Sequence, residues 1–424
     1  MSYKVLNKSS ELNYLACEWG KRLLNYLPSI DTDILSKSLA SNLRGSKVST
    51  QSFFIGRSKN VNYKACLTIT DTQPQVTKTF LANCRYIRTV MDLPKQTELL
   101  IQFALLSQVN KWIRALSSEV HMQTSHLSLN EILKDISGIS DELFSHATAQ
   151  LNHYGFLPDT DFLSFEYGAM PKALVRTLLS ETITSRETLI APLLHPSPDA
   201  SFTLDDFPHV NTSLLSQYLA AASKSRQSGT SILLYGASGT GKTELSRTLA
   251  KYCDRTLYEI RSTALASNFS EDEFNSRFPN KERLRYLALL QSLLTHKADA
   301  MLLVDECESL FDCADSQYSK EHLQRFIEQN EIPCIWITNH IQYLEPSFIR
   351  RFKLVLDVPT LRPEEIEQIT RPYYHGLSVS SSARKVISQT ENITPAIVAN
   401  ATHVAHAINA KRGRAEAVIG QVVE

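Results

Sequence analysis

The chain has 424 residues, enough for two or three domains each with its own core. It is 43% hydrophobic and 21% charged, with 44 basic residues against 44 acidic ones, so its overall charge offers no argument for a nucleic-acid-binding or membrane-binding protein. Seven scattered cysteines without a CxxC pair argue against a disulfide framework or a thiolate zinc site, and no apolar stretch approaches a membrane span. The start, Met1 to Lys8, lacks the apolar core of a signal peptide, so a cytoplasmic protein without a membrane partner is expected.

Residues 1–94 read as a region of unknown role. Leu12, Leu15, Trp19, Leu23, Leu24 and Leu27 recur at helical spacing and predict an amphipathic helix ending near Pro28. From Leu35 to Thr70 there are six basic residues and no acidic one, alongside the β-prone pieces Ser52 to Ile55 and Ala65 to Ile69. This uneven charge keeps nucleic acid open as a local partner, although a solvated face explains it more simply.

Residues 95–185 turn helical. Leu129, Ile132, Leu133 and Ile136 predict one helix, Ser137 to Ser140 a tight turn, and Leu143 to Tyr154 a second helix N-capped by Ser140. Followed by Gly155-Phe156-Leu157, this pattern resembles a winged-helix module. The second helix carries no Lys or Arg, which favours a structural or protein-binding role over reading DNA. After a helix around Leu174 to Leu179, the prolines 192, 196, 198 and 208 mark residues 186–210 as an extended linker.

Residues 211–360 carry the motifs. The run Ile232 to Tyr235 predicts a buried strand, and it empties into Gly236, Ala237, Ser238, Gly239, Thr240, Gly241, Lys242 and Thr243, with a helix from Glu244 onward. Backbone N–H groups wrap a polyphosphate only where no Cβ intervenes, and the helix dipole points at the same anion. Lys242 is expected to reach the β- and γ-phosphates and Thr243 to coordinate Mg²⁺. A second apolar strand, Ala300 to Val304, ends in Asp305 and Glu306: Asp305 for the metal shell, Glu306 for activating water. A third strand, Ile335 to Thr338, ends at Asn339, whose amide can bridge the water and the γ-phosphate. Arg350 and Arg351, at the end of a short helix, are candidates to reach a neighbouring subunit's γ-phosphate.

In that order these motifs resemble the AAA+ ATPase superfamily, nearest its central-type bacterial members, over residues 202 to 402. The resemblance implies an α/β P-loop core with a parallel sheet of order 5-1-4-3-2 and a small helical lid within residues 361–424, attached to a mainly helical N-terminal region. It also implies ATP and Mg²⁺ as cofactors and a ring-forming homo-oligomer, commonly a hexamer. On that mapping Gly236 to Glu244 and Asp305 bind the nucleotide, Thr243 and Asp305 hold the metal, and Glu306, Asn339, Arg350 and Arg351 are catalytic. Two departures stand out. The lid segment Asn392 to Ile397 has no arginine where many relatives sense the γ-phosphate, and residues 262–278 lack the aromatic-hydrophobic-Gly loop of threading unfoldases. The expected activity is ATP hydrolysis coupled to remodelling of a protein client. A nucleic-acid-associated ATPase of a mobile-element or defence system, and a nucleotide-gated assembly scaffold, stand as alternatives.

Overall fold

A computed structural model describes residues 12–24, 26, 75–124, 127–157, 172–225, 227–260, 279–311, 317–391, 393–408 and 414–423. The basic stretch 35–70, the segment 262–278 and Asn392 lie outside these residues. In chain order the helices before the first strand are α1 (Asn13–Leu24), α2 (Gln75–Val90), α3 (Glu98–Val109), α4 (Lys111–Gln123), α5 (Leu129–Ser137), α6 (Asp141–His153), α7 (Lys172–Ser180), α8 (Arg186–Ile190) and α9 (Thr212–Ser225). Then come β1 (Ser231–Tyr235), α10 (Lys242–Tyr252), β2 (Thr256–Glu259), α11 (Pro279–Leu294), β3 (Ala300–Val304), α12 (Glu308–Phe311), α13 (Gln317–Gln329), β4 (Cys334–Thr338), α14 (Pro346–Ile349) and β5 (Leu354–Asp357). The chain closes with α15 (Pro363–Thr370), α16 (Ser381–Ser388), α17 (Pro395–Ala407) and α18 (Arg414–Val423). None of the described helices is long and apolar enough to cross a membrane.

The chain forms two compact units, one from Met1–Leu194 with Ser262–Leu293 and the other from His195–Arg261 with Leu294–Glu424. The first unit is helical among its described residues. Its centre is α3, where Leu100, Ile101, Phe103, Ala104, Leu105 and Leu106 are all fully buried, as an all-round apolar helix requires. The Trp19 ring of α1 packs at 5.1 Å on Phe103. Buried Asn83 staples α2 to the end of α7: its amide donates to the carbonyls of Leu178 and Glu181 at 2.9 and 2.7 Å and accepts from Ile183 N at 2.7 Å.

The expected helix-turn-helix is present. A capping box of Ser128 and Glu131 opens α5, Gly138 stops it at φ 63°, and Ser140 caps α6 by accepting from Leu143 N. Gly155, at φ 71°, then turns the chain so that Phe156 and Leu157 bury. Residues 158–171, which follow, are outside the described set. The exit of α6 lies against α11: buried Arg285 donates to Gln108 Oε1 at 2.7 Å and to the Gly155 carbonyl at 3.2 Å, and Ser292 Oγ donates to the His153 carbonyl at 2.8 Å.

The second unit is built on five parallel strands in the order β2-β3-β4-β1-β5, which is the expected 5-1-4-3-2. β1, β3 and β4 are almost wholly buried, which is why they read as unbroken apolar runs rather than alternating ones. Ile232, Leu234, Met301, Leu303, Ile335 and Ile337 form a core with Leu215 and Leu219 of α9 and Leu245 and Leu249 of α10. Trp336 is also buried, edge-on to Phe352 and tilted against Phe311. Helices α15 to α18 make the small helical lid, with its own core of Tyr374, Ile387, Val398, Ala401, Ala405 and Ile419.

One expectation needs correcting. The stretch 186–210 is only partly extended: α8 and two single-turn 3₁₀ helices, Ala191–Leu193 and Leu204–Asp206, interrupt it. Within the second unit Pro196 bridges antiparallel to Tyr258, Ser197 N donates to Leu257 O at 2.8 Å and Glu259 N to His195 O at 2.9 Å. A strap therefore covers the free edge of β2, the kind of edge that proteins shield. Prolines mark breaks in regular structure, and here the breaks are filled by long-range contacts.

Candidate nucleotide site

The phosphate loop takes its shape from three glycines at the mouth of β1. Gly236 (φ 145°), Gly239 (φ 81°) and Gly241 (φ 91°) all occupy backbone conformations that other residues avoid. A Cβ at Gly236 would stand 2.3 Å from the Val358 carbonyl, and one at Gly239 would stand 2.8 Å from Thr394 at the start of the lid helix α17. Gly241 is the N-cap residue of α10, so the helix begins at Lys242 with its first N–H groups facing the loop.

Lys242 is 4% exposed, and its Nζ donates to the carbonyls of Gly236 and Ala237 at 2.8 and 2.6 Å. Burial pushes its pKa down, while Asp305, Glu308 and Asp357 pull it back up. The Thr243 hydroxyl donates to Asp305 Oδ2 at 2.8 Å. Hydroxyl and carboxylate are thus side by side at the ends of α10 and β3, a pair of hard oxygens of the kind a Mg²⁺ ion takes. Among the described residues no cluster of three His, Cys, Asp or Glu side chains is assembled. An ion that keeps waters and phosphate oxygens in its shell does not need one.

Glu306 has positive φ (48°), unusual for a residue with a side chain, and its N–H donates to the Asp305 carboxylate at 2.9 Å. The next residue returns to the fold at once: Cys307 N donates to Ile337 O at 2.9 Å. This sharp turn leaves Glu306 exposed in the pocket beside buried strands.

Ser238, Gly239, Thr240, Gly241, Lys242, Thr243, Glu244, Asp305, Glu306 and Asn339 line a single cleft of about 390 Å³. Gly236 and Ala237 are not on its wall but hold Lys242 from behind. Arg350 and Arg351 do not line it. Arg350 is exposed at the end of α14, and Arg351 is paired with Glu328 of α13.

Further lining residues escaped the sequence reading. Ser201, Phe202, Asp206, Phe207 and His209 come from the strap, Arg247 from α10, and Ile369, Tyr373, Pro395 and Ala396 from the lid. Phe202 lies edge-on to Phe207 and to Tyr373, at 6.2 and 6.0 Å between ring centres. Burial lowers the pKa of His209 here. The signal was there in part: Thr203 and Asp206 make a capping box, a helix-start pattern inside the supposed linker.

Residues 232–360 match the family described as ATPase family associated with various cellular activities (AAA). A proteasome-activating nucleotidase of Sulfurisphaera tokodaii is 25% identical over 202 residues, 43% of this chain and 48% of that protein. Fidgetin-like protein 1 of Caenorhabditis elegans is 27% identical over 153 residues, 33% of this chain and 24% of that protein. The solved structure of C. elegans PCH-2 aligns with 54% of this chain and 74% of its own, at 15% identity and a TM-score of 0.41. The chain spans about half the length of the proteasome-activating nucleotidases it matches. Residues 232–360 match as an AAA-family ATPase domain, and the rest of the chain lies outside that match.

Proposed function

We infer that the chain is an ATPase that works as a homo-oligomer and couples Mg-ATP hydrolysis to remodelling of a protein client. The observation that carries the reading is one cleft lined together by Lys242, Thr243, Asp305, Glu306 and Asn339. Phe202, Phe207 and Tyr373 give the same cleft an apolar wall suited to a nucleobase. The division of labour follows from the chemistry. Lys242 and the N–H groups at the start of α10 hold the terminal phosphates, and Thr243 and Asp305 hold Mg²⁺, which when bound neutralises charge on the phosphate oxygens. Glu306 orients and deprotonates water, and Asn339 keeps that water in line. Arg350 or Arg351 serves the pocket of a neighbouring copy, where a cation spreads transition-state charge.

A protein client is favoured by the relatives named as proteasome-activating nucleotidases, and by an α6 that has neither Lys nor Arg to meet phosphates. The helical N-terminal region is then the surface that meets the client. Glu306→Gln tests the reading: it should keep ATP bound while turnover falls by a factor of roughly 10² to 10⁴. Hydrolysis at the parent rate would remove Glu306 from the mechanism. Stimulation of the parent by DNA that fades with rising salt would move the client from protein to nucleic acid.

A further inference from the structure

The strap that covers β2 is tied to the phosphate-loop helix by a closed set of charged contacts. Arg247, on the second turn of α10, spends its guanidinium on three elements. Nε donates to Ser197 Oγ of the strap at 2.9 Å, Nη2 to Glu259 Oε1 of β2 at 2.9 Å, and Nη1 to Glu244 Oε2 of its own helix at 3.2 Å. Ser197 Oγ in turn donates to Glu259 Oε1 at 2.6 Å, and Glu244 Oε1 accepts from Ser201 N at 2.7 Å. The three charged side chains are 14 to 23% exposed, so water and salt screen the contacts only partly. Charge-assisted bonds from one planar guanidinium to two carboxylates fix geometry as well as adding energy.

The inner end of the strap is where it matters. Phe202, next to Ser201, packs on Phe207 and on Tyr373 of the lid, and Phe207 lies 3.4 Å from where a Cβ of Gly241 would be. The outer clamp therefore sets the position of the aromatic wall of the cleft, while Ser197 and Glu259 are not themselves on that wall.

We propose that Ser197 and Glu259 are positioning residues for the nucleotide: through Arg247 they lock the strap to the phosphate-loop helix and so seat the Phe202 and Phe207 wall. This rests on the cleft being a nucleotide site.

The test uses the full-length chain, with affinity for a fluorescent N-methylanthraniloyl-ADP, steady-state kcat and KM for ATP, and hydrogen exchange across residues 196–203 with and without ADP. In the parent, ADP should slow exchange in this segment. Ser197→Ala and Glu259→Leu should weaken nucleotide affinity and raise KM, by about tenfold for Glu259→Leu, as for loss of a partly buried charged hydrogen bond. Both should leave kcat at saturation unchanged and exchange in 196–203 fast with or without ADP. Glu259→Gln, which keeps an acceptor without the charge, should lie between them and the parent.

A merely structural role would lower the melting temperature and leave KM alone. Should Glu259→Leu fail to fold, Ser197→Ala decides. Unchanged affinity and unchanged ADP protection in a folded variant, or a fall in kcat with KM intact, would overturn the inference while leaving the ATPase reading in place. Absence of nucleotide binding by the parent itself would take both down.

Discussion

Lys242 shows how one side chain depends on the loop around it. Burying an ammonium is costly unless oxygen atoms replace its water, and the carbonyls of Gly236 and Ala237 do so. Those carbonyls converge only because Gly236 sits where a Cβ would strike the Val358 carbonyl at 2.3 Å. The Lys242→Ala protein should fold, because an alanine at the first helical position loses a buried charge rather than a core contact. Its nucleotide affinity should fall by on the order of a hundredfold, as for truncating one partner of a buried charge contact, and turnover should vanish. Isothermal titration with ADP checks the first and phosphate release the second. Affinity within twofold of the parent would separate Lys242 from the phosphate site.

The helix α11 is an element whose sequence position and packing tell different stories. It lies between β2 and β3 in the chain, yet its residues 279–293 cluster with the helical unit. Gly155 lies close against it, since a Cβ there would stand 3.0 Å from the Arg285 carbonyl and 3.2 Å from Leu289 N. With φ 71° the position is also strained for any other residue. Gly155→Ala should therefore lower stability by about 1 to 3 kcal/mol, read as a lower melting temperature. Gly138, also at positive φ but with nothing near its missing Cβ, should tolerate alanine better, at about 1 kcal/mol. Equal losses at the two sites would mean that the backbone turn alone, and not the contact with α11, makes Gly155 necessary.

For the assembly, the two arginines make opposite demands. Arg351 is held by Glu328 in its own chain, whereas Arg350 is exposed. In a homo-oligomer whose sites are completed by a neighbour, Arg350→Ala and Lys242→Ala proteins should each be inactive alone. Mixed, they should regain hydrolysis, because a subunit with an intact pocket then meets a subunit with an intact arginine. A mixture as inactive as its parts would mean that Arg350 does not act on a neighbour's pocket, an Arg350→Ala protein active by itself would place Arg350 outside the reaction, and the same mixture with Arg351→Ala would then ask the question of its neighbour.

Much of this was legible in the chain, for a local reason. Ile232 to Leu234, Ala300 to Val304 and Ile335 to Ile337 are buried on both faces, so they read as apolar runs, and the loops that leave them carry chemistry within a few residues. The glycines at 236, 239 and 241 could be assigned because positive φ is a property of single residues. Hidden from inspection was everything that joins residues far apart: the strap with Ser197 bonded to Glu259, the wall of Phe202 against Tyr373, and the grip of α11 on Gly155. A proline-rich stretch gives no sign of the edge strand it will cover. Short-range preference sets which elements form, and long-range packing sets which of them meet.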